Sequence, residues 1–368
     1  MERNAGILRK IDRYVGTSLL FLIGLFRAKR NKPKTITTIG IFAFAAIGDS
    51  ILSSSLLPAL KKEFPNITII IFCSKANAAI YSLIEGFDQL IILPITNPLK
   101  TRSLLRQHPV DIIIDTSQWF HLGALYTWLT NSRWSIGFKT KNQNRHYAYD
   151  EAVVHSDQIH ELENFQALLL PLYCAPSKSL AIRKDFKNAE PCKFAKLDSP
   201  YVVLHPWASG TNSGMREWPE RNWIDLASRL AQNGLKIVIS GSNVDQKRAN
   251  NLFYQLNFGD AIEVIAGKAT LNELSNILCN AKACVSVNTG VAHLSAALEV
   301  PTVVLNGPTN SKRWGIRGKK TMNLDVSKEQ GGAFLSLGFE YPRNADNVMA
   351  KISCESVISA LVDLGVIN

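Results

Sequence analysis

From Thr35 onward, short runs of β-branched and aliphatic residues alternate with longer amphipathic stretches, and this alternation restricts the chain to parallel α/β architecture. In the first half the strands read TTIGIFAF (37–44), ITIIIF (67–72), LIIL (90–93) and DIIID (111–115), with helical stretches such as 50–64 between them. Over 171–200 the periodicity fades into a segment rich in Pro, Lys and Ser, which marks a linker. The alternation then resumes with YVVLH (201–205), KIVIS (236–240), IEVIA (262–266), ACVSV (283–287) and TVVLN (302–306), and 347–364 reads as a closing helix. The strands are nearly continuous in apolar residues, so both faces of each sheet must be covered. A chain of 368 residues, 46% hydrophobic, can bury two cores. The expected organisation is an N-terminal segment (1–34), a Rossmann-like domain (35–175), a linker (176–200), a second Rossmann-like domain (201–345) and a C-terminal helix (346–368). Ligands of open α/β sheets sit outside the carboxyl ends of the strands, so two such domains are expected to present their strand-end loops to a cleft.

The net charge of +11 suggests nucleic acid until it is located along the chain. Residues 1–34 hold nine basic residues against Glu2 and Asp12, which is +7 of the total. The remaining +4 is too little to grip a phosphate backbone, and nucleic acid is excluded as the expected partner. The same segment contains an apolar run of thirteen residues, Tyr14 to Phe26, with basic residues on both sides. A span needs about 20 residues, and a secretory leader would end in a small-residue cleavage site rather than Arg27-Ala28-Lys29-Arg30. The run therefore reads as an amphipathic helix in the membrane interface, its flanks drawn to anionic headgroups. The other reading is an uncleaved leader or a helix packed on the protein itself. The six cysteines show no CxxC pair and no metal-ligand spacing with His, so they read as small core residues of a reducing compartment, with no metal expected.

Four strand-end loops of the second half carry polar or small residues. After YVVLH, the loop 206–219 has two glycines, several hydroxyls and Arg216, which suits an anion, although an ordinary turn has the same composition. After KIVIS, Asp245 stands where an acid of a Rossmann-like domain accepts ribose hydroxyls, or where it helps to cap the helix that follows. After IEVIA, the loop 266–270 could offer backbone groups to a base, while Thr270 and Glu273 have the spacing of a capping box. After ACVSV, Asn288-Thr289-Gly290 leads into a helix whose free N–H groups and dipole favour a pyrophosphate, with His293 in its first turn. In the first half, TTIGIFAF runs into Ala45-Ala46-Ile47-Gly48-Asp49; Asp49 could act as a general base toward a hydroxyl or cap a helix.

The stretches IGDSILSSSLLPALKKEFP, LHPWASG…MREWPERNW and VSVNTGVAHLSAALEVPTVVLNGPT followed by RWG, in this order over about 36–315, resemble the ADP-heptose:lipopolysaccharide heptosyltransferase family, glycosyltransferase family 9. The resemblance implies the two-domain GT-B fold, with the sugar nucleotide held by the C-terminal domain and the acceptor by the N-terminal one. It implies Asp49 as catalytic base, Arg216 at the donor phosphates, Ser209 in the donor-binding loop, Asp245 at the ribose, Ala269 beside the adenine, and Asn288, Thr289, Gly290 and His293 at the phosphate-binding helix start. Members often have Asp where this chain has Asn288, which removes a charge near the pyrophosphate.

The expectation is an inverting transfer of a sugar, heptose from ADP-heptose, onto a lipopolysaccharide core or related glycan. No metal or other cofactor is needed if Arg216 and the helix N–H groups neutralise the leaving group. The acceptor is expected to be an anionic glycolipid contacted by Lys75, Arg133 and Lys139, and the protein to be cytoplasmic, peripheral on the inner membrane. The alternatives are a sugar-nucleotide epimerase, or a non-catalytic sugar-nucleotide-binding protein of the same fold.

Overall fold

The computed structural model describes residues 12–177, 179–188, 199–210, 212–256, 259–336, 340–342 and 347–368. Glu2, Arg3, Arg9 and Lys10 of the N-terminal charge cluster, Cys192, the linker stretch 189–198 and Thr211 lie outside them, as does the side chain of Arg13. The chain divides into two compact units, Met1–Ile182 and Arg183–Asn368.

The first unit is built on six parallel strands: β1 (Thr38–Ala43), β2 (Thr68–Ser74), β3 (Gln89–Leu93), β4 (Ile112–Asp115), β5 (Trp134–Lys139) and β6 (Glu151–Val154). Their order in the sheet is β3-β2-β1-β4-β5-β6. The central strands β1, β2 and β4 are buried almost throughout, as their unbroken Ile and Phe runs require when helices cover both faces. A Cβ at Gly40 in β1 would meet Ile113 Cδ1 at 2.7 Å and Phe72 Cε2 at 2.9 Å, so a larger residue there would make these core side chains shift. The helical stretch after β1 is two helices, Ile47–Ser53 and Leu56–Glu63, with a turn at Ser54 and Ser55. A core of Phe42, Phe44, Phe72, Leu105 and Tyr126 closes one face.

The N-terminal apolar run is a π-turn, Asp12–Gly16, followed by the α-helix Thr17–Phe26. It is docked on the unit rather than free. Leu20 and Ile23 are buried against Ala124, Ala148 and Tyr149, a gain of about 1.5–3 kcal/mol for each side chain. Asp12 receives the backbone N–H groups of His121 and Leu122. The basic flank expected to face lipid is partly turned inward. Arg27 and Arg30 both bond Asp150, at 2.7 and 2.8 Å, because this fully buried carboxylate demands cations. The opposite side of the helix is apolar and exposed: Tyr14, Val15, Leu19, Phe21, Leu22, Leu25 and Phe26. Among the described residues no helix is long and apolar enough to cross a membrane.

The second unit repeats the plan with β7 (Tyr201–His205), β8 (Lys236–Ile239), β9 (Ile262–Val264), β10 (Ala283–Val287), β11 (Thr302–Asn306) and β12 (Thr321–Asp325), all parallel, in the order β12-β11-β10-β7-β8-β9. Helix Glu220–Gln232 shows how its sequence dictates its packing: Trp223, Leu226, Ala227 and Leu230 fall on one stripe and are buried, and its polar residues face outward. It stops at Gly234, whose φ of 73° suits glycine and lets Leu235 N–H reach back to the Leu230 carbonyl at 3.1 Å. The closing segment is a 3₁₀ turn, Val348–Lys351, and a helix, Cys354–Asp363, capped by Ser353.

Candidate functional site

Numbered from its own first strand, each sheet has the order 3-2-1-4-5-6. In this order the connections leaving the first and fourth strands turn to opposite sides, which opens a crevice at their carboxyl ends. In the second unit those strands are β7 and β10, which pair directly. The crevice is therefore flanked by the loop after His205 and by Asn288-Thr289-Gly290.

The first of these loops is held by its own residues. Gly210 and Asn212 adopt φ of 98° and 54°, a 3₁₀ turn covers Ser213–Arg216, and the Arg216 guanidinium donates to the Ser209 carbonyl. Ser209 and Arg216 are thus brought together. Trp207 is buried beneath them, with the Arg248 guanidinium 5.3 Å above its ring and Arg248 paired with Glu217 at 2.6 Å. His205, at the end of β7, is buried, and burial pushes its pKa down to about 4, partly opposed by the charge of Asp245. Ser240 Oγ donates to the Leu204 carbonyl, so at 2.9 Å from His205 Nδ1 it must accept. The ring therefore carries its proton on Nδ1 and leaves Nε2 as an acceptor.

Asp245 and Ser242 form a capping box: the carboxylate accepts the Ser242 backbone N–H at 2.9 Å. One of its oxygens is thereby engaged in capping. Gly267 N–H bonds the Gly241 carbonyl at 3.1 Å, tying the loops after β8 and β9 together, and Ala269 is half-buried in this pair. Thr270 and Glu273 make the expected capping box.

After β10, Thr289 is the N-cap of helix Gly290–Ala297 and offers no side-chain cap. The first N–H groups of a helix have no carbonyl within it, so this turn presents donors at the positive end of the dipole. His293 sits one turn in and is buried, a placement that suits packing as well as contact with an anion. The Asn288 side-chain amide is engaged within the unit. Its Nδ2 donates to Asn306 Oδ1 at 2.7 Å and to the Trp314 carbonyl at 2.9 Å. Asn306 continues to Asn323 at 3.1 Å, and Asn323 bonds both backbone groups of Ile316. The sequence reading treated Asn288 as a missing charge; in the fold it is the first rung of an amide ladder across the ends of β10, β11 and β12.

In the first unit the corresponding strands are β1 and β4, again paired directly. Asp49 is not an N-cap: the helix begins at Ile47, and Asp49, in its first turn, reaches back to the Ala46 N–H at 3.2 Å. Its other oxygen accepts from Gln118 Nε2 at 3.2 Å. Gln118 follows β4 and was missed in the sequence, although the strand-end rule applied to DIIID would have found it. Lys75 follows β2 and Lys139 ends β5, both exposed at the same edge of the sheet as Asp49. Arg133 is a correction. It precedes β5 at the opposite, amino-terminal edge, where it pairs with Asp111 at 3.3 Å.

Two doubly wound units of this kind, each with chemistry-bearing loops at its switch point, define the GT-B class of α/β proteins. The model of glycosyltransferase family 9 (heptosyltransferase) matches residues 99–334, more than half of the chain, and the chain belongs to that family. Lipopolysaccharide heptosyltransferase 1 of Pseudomonas aeruginosa is 34% identical over 144 residues, a match that spans 39% of this chain and only 37% of that protein. Among solved structures, a family 9 glycosyl transferase from Veillonella parvula aligns over 92% of this chain and 99% of its own, with a TM-score of 0.75 and 18% identity. The E. coli heptosyltransferase WaaC with ADP aligns over 89% of this chain and all of its own, with a TM-score of 0.72 and 21% identity.

Proposed function

We propose that the protein is an inverting glycosyltransferase that moves heptose from ADP-heptose onto a lipopolysaccharide core or a related anionic cell-surface glycan. The observation that carries this reading is the uncapped helix start Thr289-Gly290 at the switch point of the second unit, flanked by the loop that holds Ser209 and Arg216. Diphosphate binding there is favoured by N–H groups that are already oriented, and the same groups meet the charge that grows on the leaving nucleoside diphosphate. Arg216 adds a cation, Asp245 an acceptor for the ribose and Ala269 a small surface beside the base; no metal is required in this scheme. Asp49 takes the proton of the acceptor hydroxyl as its oxygen attacks the anomeric carbon and the carbon–diphosphate bond breaks on the opposite face. Lys75 and Lys139 face the anionic acceptor.

Family membership and the ADP carried by the similar E. coli protein support the choice of donor. The test is release of ADP from ADP-heptose by the pure protein, with and without heptose-deficient core acceptor. Release that needs the acceptor and disappears in Asp49→Ala, with ADP binding retained, is the expected result. Release independent of acceptor, or full activity in Asp49→Ala, rules the scheme out. A sugar-nucleotide epimerase would instead interconvert the donor without acceptor, and a non-catalytic binder would do neither.

The exposed apolar side of helix Thr17–Phe26 favours a second part of the reading: the protein works at the cytoplasmic face of the inner membrane, where its glycolipid acceptor resides.

A further inference from the structure

Asp49 has a neighbour with no role in the scheme above. Gln118 is 3% exposed, and its side-chain amide donates to Asp49 Oδ1 at 3.2 Å. The segment that carries it is fastened on every side. Thr116 donates to the Phe42 carbonyl through both its N–H and its hydroxyl, at 3.2 and 2.7 Å, which ties the end of β4 to the end of β1. Ser117 N–H bonds Asp115 Oδ1 at 2.9 Å. Asp115 is in turn held by Arg145 and Tyr149, at 3.0 and 2.6 Å, all three buried. The Gln118 carbonyl accepts from Thr140 Oγ1 at 3.1 Å, just past β5. The amide is thus a donor fixed before any substrate arrives.

We propose that Gln118 is a positioning residue for Asp49: together with the Ala46 N–H it holds the carboxylate by both oxygens and so sets the plane it presents to the incoming hydroxyl. This rests on the reading of Asp49 as the base. A carboxylate held at one oxygen only can swing about its side-chain torsions; held at both, it keeps one plane, and reactions of this kind are sensitive to errors of about 1 Å. Each donor also favours the ionised carboxylate, the form a base must have before the hydroxyl binds. Loss of Gln118 should therefore affect both the rate and the pH at which the base becomes active.

The other ionisable groups on the elements around this helix start are few. Tyr81 and Cys73 lie on the β2 side, both driven far up by burial. Glu161, bonded to His155, lies with His160 and Glu163 at the packed helix Glu161–Ala167. Asp115 lies on the β4 side. Lys75 and Lys139 are exposed at the same edge of the sheet, and none of these groups is changed in the Gln118 variants.

The experiment compares the full-length protein with Gln118→Ala and Gln118→Glu, following acceptor-dependent ADP release from ADP-heptose across about pH 5 to 9, with Asp49→Asn in parallel. In Gln118→Ala, kcat should fall roughly tenfold with little change in KM for the donor, and the acid limb of the profile should move up by about half to one pH unit. Gln118→Glu is isosteric and preserves the loop even if the alanine variant does not fold. It places a second carboxylate beside Asp49, and should move the acid limb up further, because like charges oppose ionisation. A uniform loss at every pH with the acid limb unmoved would show that Gln118 only supports the loop, and would overturn the proposal. An inactive Asp49→Asn alongside unaffected Gln118 variants overturns the proposal alone. Full activity in Asp49→Asn overturns the base assignment and this proposal with it.

Discussion

Asn288 shows how a single side chain changes meaning once its neighbours are known. In the sequence it is a family Asp that has lost its charge. In the fold it supplies two N–H donors, to Asn306 and to the Trp314 carbonyl, that no aspartate can supply. Asn288→Asp should therefore not restore a better donor site. It would set a carboxylate against two acceptors, with Asn306 fully buried, and cost about 2 kcal/mol. Urea unfolding measures this; a variant as stable as the parent would show that the ladder does not hold the helix start. Asp49 and Asp245 teach the same lesson from the other side. Both lie at strand-end loops, where the sequence placed them, and both also spend one oxygen on a helix start. The pattern of residue types located them; the fold shows which atoms are already engaged, both oxygens of Asp49 and Oδ2 of Asp245. The strand-end rule can reach Gln118 itself, but not its bond to Asp49 or the Asn306–Asn323 pair, because those partners lie 69 and 17 residues apart along the chain, beyond any local spacing rule.

At the level of elements, legibility followed unbroken apolar runs: β3 was predicted although only its last residue is buried, and β5 was not although buried. Strands β7, β10 and β11 fall where the apolar runs predict, each buried at all five residues. Strands β5, β6 and β12 were missed. WSIGFK is interrupted by Ser and Gly, while EAVV and TMNLD are edge strands, only half-buried, whose mixed composition does not stand out from a loop. The N-terminal helix was legible as a helix but its attachment was not, because that depends on Asp150, more than 120 residues away from Arg27. Burial alone would raise the Asp150 carboxyl. Hydrogen bonds from the Arg30 side chain and backbone and from Ser135, with the charge of Arg27, outweigh it and hold the pKa below the usual carboxylate value. A carboxylate depressed in this way contributes stability that is fully present above its unfolded pKa of about 3.9 and is lost as pH falls through the lower folded value. Asp150→Asn should cost about 3 kcal/mol at neutral pH, since it leaves two arginines against a neutral amide. Its stability should converge with that of the parent in acid, once the pH falls below the lowered folded pKa of Asp150. A deficit that persists there would mean that packing, and not the ion pair, docks the helix.

For the whole molecule, two sheets of the same strand order account for two sets of strand-end loops, one with Asp49 and one with the uncapped helix start, in a chain of glycosyltransferase family 9. The proposed location at a membrane rests on a different feature. Seven large apolar side chains of the segment Tyr14–Phe26 are exposed, Phe26 at 88%, while Leu20 and Ile23 on the other side are buried. Water disfavours such a patch; a bilayer interface accepts it, and the exposed Lys29 and Lys34 suit anionic headgroups. Because the helix is clamped through Arg27 and Arg30, a bilayer that received this face would also fix the orientation of the first unit. Deleting residues 1–34 would test this poorly, since the deletion leaves Asp150 buried without its cations. The cleaner variant replaces Leu22, Leu25 and Phe26 with Gln and leaves Leu20, Ile23 and the Asp150 clamp untouched. Each replacement removes part of the roughly 1.5–3 kcal/mol available from burying such a side chain, so binding to vesicles containing anionic phospholipid should weaken at least tenfold in sedimentation. Thermal stability should change little, because the replaced groups are 51%, 60% and 88% exposed. If the variant sediments with vesicles as the parent does, the apolar face is not what holds the protein at the membrane, and the basic residues alone would have to account for any binding through its dependence on salt.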